Sequence, residues 1–302
     1  MTQKILNGII NISYKFGEDM EIFWIVIVFI VLLIVLSLFY VNYNIRVVHI
    51  KLTYRNLPAE FHDFRILLMS DLHDKRFGKE NARLMYYVRE LAPDMIAMAG
   101  DMHGIKNSNR AFLDMLEDIK RSNVPVFFVE GNHDIQPSHK FEYEMFMRTL
   151  SENGVTVLHK GQSFYIERLK KNITVSGIGW FDHKQEDVSF VKNEFQVFLK
   201  HNPLDFDNMK QLPDLMLCGH VHGGYIELPG IGAVFAPGDN VPIYKRFRKE
   251  FFRPKYYKGV YHRGECNMVV SRGLGNSVLP FRMMKPEITL ITLKCNADKN
   301  MV

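Results

Sequence analysis

Short apolar runs alternate with amphipathic stretches between residue 65 and Gly154. Three runs have the length and composition of buried strands: 65–69, 95–99 and 126–129. In the stretch after each run, apolar residues recur three or four positions apart, which predicts one buried face of a helix. The side chains on these faces are Leu84, Tyr87, Val88 and Leu91, then Phe112, Met115, Leu116 and Ile119, and then Tyr143, Phe146 and Leu150. The pattern therefore predicts regular alternation of strands and helices.

Beyond Gly154 the pattern changes to strands separated by turn residues. The strands predicted there are 155–158, 164–167, 173–176, 196–199, 215–217, 268–271 and 288–293. Alternation followed by a strand-rich part is typical of an α/β fold in which two sheets pack together between helices. The chain contains no internal repeat and no low-complexity linker.

The N-terminal segment contains twenty consecutive uncharged residues, Ile22 to Val41. A helix of this length spans about 30 Å, the hydrocarbon thickness of a bilayer. One alternative is a buried core helix, which seldom stays apolar on every face. Another is a cleaved signal peptide, which has a shorter apolar stretch, a basic start and small residues at its cleavage site. We therefore predict an uncleaved single-pass transmembrane anchor at 22–43, after a short tail at 1–21.

The residues that flank this span support the anchor and indicate its orientation. The aromatic residues at its two ends suit the interfacial belt of a membrane protein: Phe23, Trp24, Tyr40 and Tyr43. Three basic residues follow the span closely, namely Arg46, Lys51 and Arg55. Only Lys15 lies close before it, so the positive-inside rule predicts that the following domain is cytoplasmic.

The composition excludes several classes of protein. Of the 302 residues, 47% are hydrophobic and 24% are charged, which excludes a disordered chain. The three cysteines are too few and too scattered for a disulfide scaffold. The net charge of +5 is concentrated locally, because the stretch from Lys245 to Lys258 holds seven basic residues against Glu250.

This basic stretch, Tyr244 to Lys258, also carries six aromatic residues. A solvated loop and a nucleic-acid surface are two interpretations of such a composition. The predicted anchor favours a third, contact with anionic lipid, in which each cation near the headgroups contributes roughly 1 kcal/mol. We expect no nucleic acid partner and a membrane or lipid-linked anionic substrate instead. The candidate contact residues are Lys245, Arg246, Arg248, Lys249 and Arg253.

Candidate chemistry lies just beyond the carboxyl ends of the predicted strands, the edge at which open α/β sheets bind ligands. Taken along the chain, the clusters are Asp71-x-His73, Gly100-Asp101, Gly131-Asn132-His133-Asp134, His201 and Gly219-His220-x-His222. Each cluster alone has an ordinary interpretation as a turn or a solvated loop. Together, imidazole, carboxylate and amide groups at five strand ends indicate a site for two divalent metals. Such a pair can share a carboxylate and promote in-line displacement at phosphorus.

These motifs, in this order, resemble those of the calcineurin-like metallophosphoesterase superfamily. Four later runs narrow the resemblance: Gly219 to Gly224, Leu228 to Gly232, Ser271 to Gly275, and Pro286 to Thr289. They are similar to the membrane-anchored bacterial phosphodiesterase branch, which includes one type of UDP-2,3-diacylglucosamine pyrophosphatase. The similarity covers residues 45–295 and leaves a short tail at 296–302. It implies an α/β four-layer sandwich of two mixed β-sheets flanked by helices.

The resemblance also implies which residues bind the two metals. For the first metal, the implied ligands are Asp71, His73, Asp101 and His222. For the second, they are Asp101, Asn132, His201 and His220. Asp101 would therefore bridge the pair. Manganese is the expected metal, with iron or zinc as alternatives.

Two further residues complete the expected site, and a third departs from the family pattern. His133 would face the scissile phosphate and stabilise the transition state or protonate the leaving oxygen. Asp134 would orient the His133 ring. His103, two residues after the implied bridging ligand, departs from the family pattern. Contact with substrate and simple exposure are its two interpretations, and exposure is favoured.

The function that the resemblance implies is hydrolysis of a phosphodiester or pyrophosphate by a metal-activated hydroxide that attacks phosphorus. The anchor and the basic stretch favour UDP-2,3-diacylglucosamine as substrate, hydrolysed to UMP and the lipid monophosphate. A broad-specificity small-molecule phosphodiesterase is the enzymatic alternative. A non-catalytic membrane scaffold and a nuclease are alternatives of other classes. The scaffold is disfavoured because all seven ligand side chains and His133 are present.

Overall fold

The structure is a computed structural model that describes residues 2–104, 110–182, 188–191, 193–224, 226–228, 230–235, 255–276 and 282–296. Its helices are α1 (Thr2–Tyr43), α2 (Ala82–Leu91), α3 (Arg110–Ser122) and α4 (Lys140–Glu152). Within these ranges, short 3-10 helices lie at Ala59–Phe61, Lys79–Asn81 and Leu204–Asn208.

The strands of the fold fall into two groups along the chain. The first seven are β1 (Arg46–Tyr54), β2 (Arg65–Met69), β3 (Met95–Ala99), β4 (Val126–Val129), β5 (Val155–Val157), β6 (Ser163–Arg168) and β7 (Lys171–Ile178). The others are β8 (Phe195–Lys200), β9 (Leu215–Cys218), β10 (Ile226–Leu228), β11 (Gly232–Phe235), β12 (Gly259–Arg263), β13 (Cys266–Val270) and β14 (Glu287–Cys295).

The first sheet has six strands in the order β1-β14-β2-β3-β4-β5. Strands β2 to β5 are parallel, whereas β14 runs antiparallel to β2 and parallel to β1. Side chains alternate between the faces of a strand, so a strand covered on both sides is apolar throughout. In β2, Leu67 and Met69 pack in the cluster that contains the buried faces of α2, α3 and α4. Ile66 and Leu68 belong to a second cluster, which lies between the two sheets.

The second sheet also has six strands, in the order β12-β13-β9-β8-β7-β6. Strands β13, β9, β8 and β7 are parallel to one another, and β12 and β6, each antiparallel to its neighbour, form the two edges. Val197 and Leu217 face the first sheet. On the other face, Phe198 and Met216 pack against Phe206 of the last 3-10 helix. The predicted architecture of two mixed sheets with flanking helices is confirmed.

Helix α1 is long, apolar and largely separate from the sheets. Its segment Met20–Tyr43 is long and apolar enough to cross a membrane, and none of its most apolar window is buried. The interpretation as a buried core helix is therefore wrong. The helix begins at Thr2, so the segment predicted as a tail at 1–21 is helical from that residue onward. Residues 2–21 contain no proline, the residue that most strongly interrupts a helix, so the helix can extend through them.

Four strands were not predicted from the pattern, namely β1, β10, β11 and β12. Strand β1 is an edge strand with an alternating sequence that includes His49 and Lys51, and exposed or half-buried positions interrupt its apolar side. Strands β10 and β11 form a separate two-stranded hairpin. Strands of this kind gain stability from tertiary pairing rather than from a continuous apolar run, so the sequence alone identifies them poorly.

Candidate metal centre

The candidate ligands come together because five parallel strands end at the same edge of the two sheets. Asp71 follows β2, Asp101 follows β3 and Asn132 follows β4 in the first sheet, while His201 and His220 follow β8 and β9 in the second. Backbone hydrogen bonds tie these loops to one another. The Asp71 amide donates to the Gly100 carbonyl at 2.9 Å, and the Gly219 amide donates to the His201 carbonyl at 3.0 Å. The carboxyl edge predicted as the ligand-binding edge therefore carries the site.

The first cluster consists of Asp71, His73 and His222, all of which are buried. The Nε2 atoms of His73 and His222 lie 3.2 Å apart. His222 Nε2 also lies 3.5 Å from Oδ1 of Asp71. One potential ligand atom from each residue lies within 4.8 Å of the others, so one ion can contact all three.

The second cluster consists of Asp101, Asn132, His201 and His220. His201 Nε2 lies 3.3 Å from Oδ2 of Asp101. The amide oxygen Oδ1 of Asn132 lies 3.2 Å from His201 Nε2 and 3.0 Å from His220 Nδ1. The other ring nitrogen of His201, Nδ1, lies 2.6 Å from the Ala99 carbonyl, to which it donates when protonated. This hydrogen bond leaves Nε2 directed toward the centre of the cluster.

Asp101 lies between the two clusters, in the position predicted for a bridging ligand. Its Oδ1 accepts a hydrogen bond of 2.7 Å from the His133 amide. Its Oδ2 is buried and has no hydrogen-bond partner within the described part of the chain. This oxygen lies 3.6 Å from His73 Nε2 and 3.3 Å from His201 Nε2. A buried carboxylate oxygen that faces ligand atoms of both clusters fits two cations better than it fits a purely structural role.

Burial and mutual proximity shift the pKa values of the first cluster. Burial raises the pKa of Asp71 to about 6, and the Asp101 carboxylate adds to this effect. Burial also lowers the pKa of His73 to about 3 and that of His222 well below its usual range. Both imidazoles are therefore neutral at pH 7, which is the state that binds a metal.

The second cluster contains a buried pair of opposite charges, His201 and Asp101. Burial alone would lower the pKa of His201, but the Asp101 carboxylate raises it to about 9. Burial alone would raise the pKa of Asp101, but His201 and His73 hold it well below its usual range. A divalent cation must displace the proton of His201, so metal binding at this cluster releases a proton near neutral pH.

Two glycines allow the ligand loops to approach each other closely. A Cβ atom on Gly131 would lie 2.5 Å from the Asp101 amide nitrogen and would also contact its carboxylate. A Cβ atom on Gly219 would lie 2.7 Å from Asp71 Oδ2 and 2.7 Å from Ser70 Cβ. Real Cβ atoms do not approach other atoms this closely. Any residue with a Cβ atom would clash with the ligand loops, so glycine is required at both positions.

His133 lies beside the first cluster, with its ring centroid 5.2 Å from that of His73 at an interplanar angle of 78°. Its side chain is half-buried. Burial lowers the pKa of His133, so its imidazole is neutral at pH 7. This position agrees with the predicted place next to the site, while its role in catalysis stays a prediction.

Asp134 does not take the position that was predicted for it. Its Oδ2 accepts hydrogen bonds from the amides of Asp101 at 2.8 Å and Gly131 at 2.7 Å. Its Oδ1 accepts from the His103 amide at 3.0 Å. The expected role of orienting the His133 ring is therefore wrong. The buried carboxylate instead holds together the loops after β3 and β4, because those loops leave amides without partners in the sheet.

His103 is buried, so the expectation of an exposed side chain is wrong. Only 3% of its surface is exposed, and its ring packs edge-on against Phe146 at 5.5 Å. Its Nδ1 lies 2.9 Å from the Gly104 carbonyl. The loop that begins at Asp101 turns back onto α4, which covers the imidazole.

Trp180 was not identified from the sequence, although it lies against the second cluster. It follows the carboxyl end of β7, and its half-buried ring lies 5.0 Å from the ring of His220 and 5.8 Å from that of His201. Its amide donates a hydrogen bond of 3.1 Å to the Glu130 carbonyl. The available signal was its place at a strand end. Tryptophan is not a metal ligand, so its residue type did not indicate a place in the site.

The five basic residues proposed to contact substrate or membrane lie outside the described residues: Lys245, Arg246, Arg248, Lys249 and Arg253. The end of that stretch is described and packs on the second sheet. Lys255 forms an ion pair of 2.8 Å with Asp207, and the Tyr256 hydroxyl donates to the same carboxylate at 2.7 Å. Lys258 pairs with Glu227. These two cations are thus matched by carboxylates of the same chain.

Comparison with known families matches residues 64–224 to the calcineurin-like phosphoesterases. The chain belongs to this family. The match spans β2 to the loop after β9, and so contains every residue of the two clusters. The family uses a dimetal centre, and the two clusters of this calcineurin-like phosphoesterase are its candidate ligands. The protein is therefore a metal-dependent phosphoester hydrolase.

Three curated relatives support the assignment of this calcineurin-like phosphoesterase. Phosphodiesterase YaeI of Escherichia coli (strain K12) is 30% identical over 76% of this chain and 82% of its own length. The uncharacterized metallophosphoesterase YkuE of Bacillus subtilis (strain 168) is 27% identical over 79% and 82%. A transmembrane protein with metallophosphoesterase domain from Danio rerio is 27% identical over 82% of this chain and 57% of its own length.

Proposed function

We propose that this phosphoesterase is membrane-anchored and hydrolyses a phosphodiester or pyrophosphate presented at the bilayer surface. The observation that carries the proposal is the exposed apolar segment Met20–Tyr43, which leads almost directly into β1 of the catalytic domain. An exposed apolar surface of this size is costly in water and favourable in lipid. The name of the Danio rerio relative, a transmembrane protein, supports the anchor.

The proposed side of the membrane for the catalytic domain is the cytoplasmic one. Arg46, Lys51 and Arg55 follow the helix, whereas Lys15 precedes it. An excess of basic residues after the span favours retention of that side in the cytoplasm.

The proposed substrate is a nucleotide-linked lipid pyrophosphate, with UDP-2,3-diacylglucosamine as the specific candidate. Its acyl chains would lie in the bilayer next to the anchor, and its pyrophosphate would reach the candidate metal centre. A broad-specificity phosphodiesterase is the second candidate, and the name of the Escherichia coli relative, a phosphodiesterase, favours it.

The proposed division of labour follows the two clusters and their neighbours. Asp71, His73 and His222 would hold one divalent metal, and Asn132, His201 and His220 would hold the other, with Asp101 between them. Manganese suits this mixture of carboxylate, amide and imidazole ligands. When bound, such metals supply Lewis-acid activation of water and polarisation of phosphoryl oxygens. The neutral His133 ring carries one N–H, which would donate a hydrogen bond to the leaving-group oxygen.

The test is a phosphorus NMR assay of the full chain in lipid nanodiscs with Mn²⁺ and UDP-2,3-diacylglucosamine. An Asn132→Ala variant serves as the control, because it removes one ligand of the second cluster. UMP from the parent but not from the variant, with little reaction of the deacylated analogue, is the expected result. Hydrolysis of a simple aryl phosphodiester alone would favour the broad-specificity enzyme. No reaction of either compound by a metal-loaded protein would favour a scaffold.

A further inference from the structure

The side chain of Arg282 is an unusual buried cation, with only 2% of the residue exposed. Its guanidinium donates hydrogen bonds to the carbonyls of Gly273 at 2.8 Å, Gly275 at 2.9 Å and His222 at 3.0 Å, and also to that of Arg272. Burying a cation is expensive, and the rigid fork of donors on arginine offsets that cost when several acceptors converge on it. Arg282 therefore links carbonyls from several separate loops.

The carbonyls that Arg282 binds belong to the backbone around the first cluster. His222 is itself a candidate ligand. The turn at 273–275 lies against Asp71: the Gly275 amide donates to the Asp71 carbonyl at 2.5 Å, and the Leu274 amide donates to Ser70 at 3.0 Å. A Cβ atom on Gly273 would lie 2.7 Å from Asp71 Cβ. One guanidinium thus holds the loop of His222 and the turn that supports Asp71.

The backbone of the same residue is bound to the end of α1. The Arg282 amide donates to Asn42 Oδ1 at 3.0 Å, and Asn42 Nδ2 donates back to the Arg282 carbonyl at 3.0 Å. Asn42 Nδ2 also donates to the Leu38 carbonyl at 2.7 Å, within the last turns of the helix. A continuous set of hydrogen bonds therefore runs from α1 through Asn42 and Arg282 to His222.

We propose that Arg282 is a positioning residue that sets the geometry of the first cluster and couples it, through Asn42, to the end of α1. Outer hydrogen bonds of this kind orient metal ligands, and their loss typically weakens metal binding by about 10–100-fold. The inference concerns metal binding by the chain and does not depend on the identity of the substrate.

The test is Mn²⁺ titration of the full chain in detergent micelles by calorimetry, with a parallel optical signal. The chain has two tryptophans, Trp24 and Trp180. In a Trp24→Phe background, the fluorescence of Trp180 reports the second cluster, because its ring lies 5.0 Å from that of His220. Arg282→Gln should weaken one of two calorimetric sites by about 10–100-fold and leave the affinity seen by Trp180 within about 3-fold. Equal weakening at both sites would overturn the assignment to the first cluster.

Asn42→Ala tests the coupling without disturbing the buried core, so it remains informative even when Arg282→Gln fails to fold. It should weaken the same site by about 3–10-fold, less than the loss of about 10–100-fold expected for Arg282→Gln, because the described contacts of Asn42 reach the His222 loop through Arg282. An unchanged affinity would overturn the coupling to α1.

Arg83→Ala is the matched control. Arg83 also contacts the end of α1, donating to the Tyr43 carbonyl at 3.0 Å, but none of its described contacts reaches the His222 loop. Metal affinity should be unchanged in this variant. A loss equal to that of Asn42→Ala would mean that affinity follows helix docking in general, which would refute the proposal. Arg282→Lys should also bind Mn²⁺ weakly at the first cluster, since one ammonium cannot reproduce the fork of donors on the guanidinium. Recovery of the parent affinity in this variant would refute the positioning role of Arg282.

Discussion

Replacing Gly131 by alanine should damage the candidate metal centre more than it damages the fold. The added Cβ atom would lie 2.5 Å from the Asp101 amide nitrogen and 2.8 Å from its Cγ. Ordinary contacts begin near 3.4 Å, so either the loop after β3 or the loop after β4 must move. Both loops carry ligands of the second cluster, namely Asp101 and Asn132, and no flexible side chain is available to absorb the displacement.

The size of the effect follows from the overlap. Relief of the contact requires a shift of about 1 Å, and a misplacement of that size in a catalytic site costs about 100-fold in rate. Overpacking of a buried site costs about 1–3 kcal/mol of unfolding free energy. The variant should therefore fold with reduced stability, bind Mn²⁺ more weakly, and lose about 100-fold of its kcat/KM on an aryl phosphodiester.

Gly161→Ala is the control for stability. Gly161 has φ +79°, and no atom of the described residues lies within 4 Å of an added Cβ, so alanine there strains the backbone by about 1–2 kcal/mol without touching a ligand. Calorimetric metal titration, denaturant unfolding and kcat/KM should be measured on both variants. The argument from close packing would be refuted if Gly131→Ala kept the metal affinity and kcat/KM of the parent. It would also be refuted if Gly161→Ala lost as much metal affinity and kcat/KM as Gly131→Ala.

Three further predictions concern the ligands and their neighbours. Asp101→Asn should weaken both Mn²⁺ sites in a titration, because its carboxylate faces both clusters, and loss of only one site would contradict a bridging role. His133→Ala should keep both metals but lower kcat by about 100- to 10,000-fold, as expected for a proton-transfer residue, with unchanged kcat as the contrary result. In the metal-free protein, the folded-state pKa of His201 is about 9, above its ordinary value of 6.5. The contribution of His201 to the free energy of unfolding is therefore complete below pH 6.5 and is lost as the pH rises through 9. Denaturant unfolding should give a lower unfolding free energy at pH 9 than at pH 7 in the parent, and a smaller difference in His201→Asn. An equal difference in the two proteins would exclude His201 as the cause.

The ligand positions could be predicted from the sequence because two local signals coincide at each of them. Asp71, Asp101 and Asn132 each follow an apolar run that is long enough for a strand, and each belongs to a residue type that binds metals. Parallel strands then place their carboxyl ends along one edge, so no detailed knowledge of packing is needed. The central strands of both sheets were predictable for the same reason.

Residues that act through tertiary contacts could not be predicted in this way. Asp134 accepts hydrogen bonds from the amides of a loop that is remote in sequence, and His103 is covered by α4. Arg282 is one isolated arginine, whose four carbonyl partners are brought together only by the folded loops. In each case the side-chain type is ordinary, and the environment that defines its role is assembled from several segments.

The order of strands in the first sheet constrains how the domain is completed during synthesis. Strand β14 is the last strand of the fold along the chain, yet it pairs with both β1 and β2. A ribosome would therefore release the helix and β1 long before the partner of β1 exists, and the facing edges of β1 and β2 would stay open meanwhile. Such late, non-local pairing slows folding and exposes strand edges to other chains. A premature stop before residue 287 would thus harm the beginning of the domain, next to the end of α1, as much as its end.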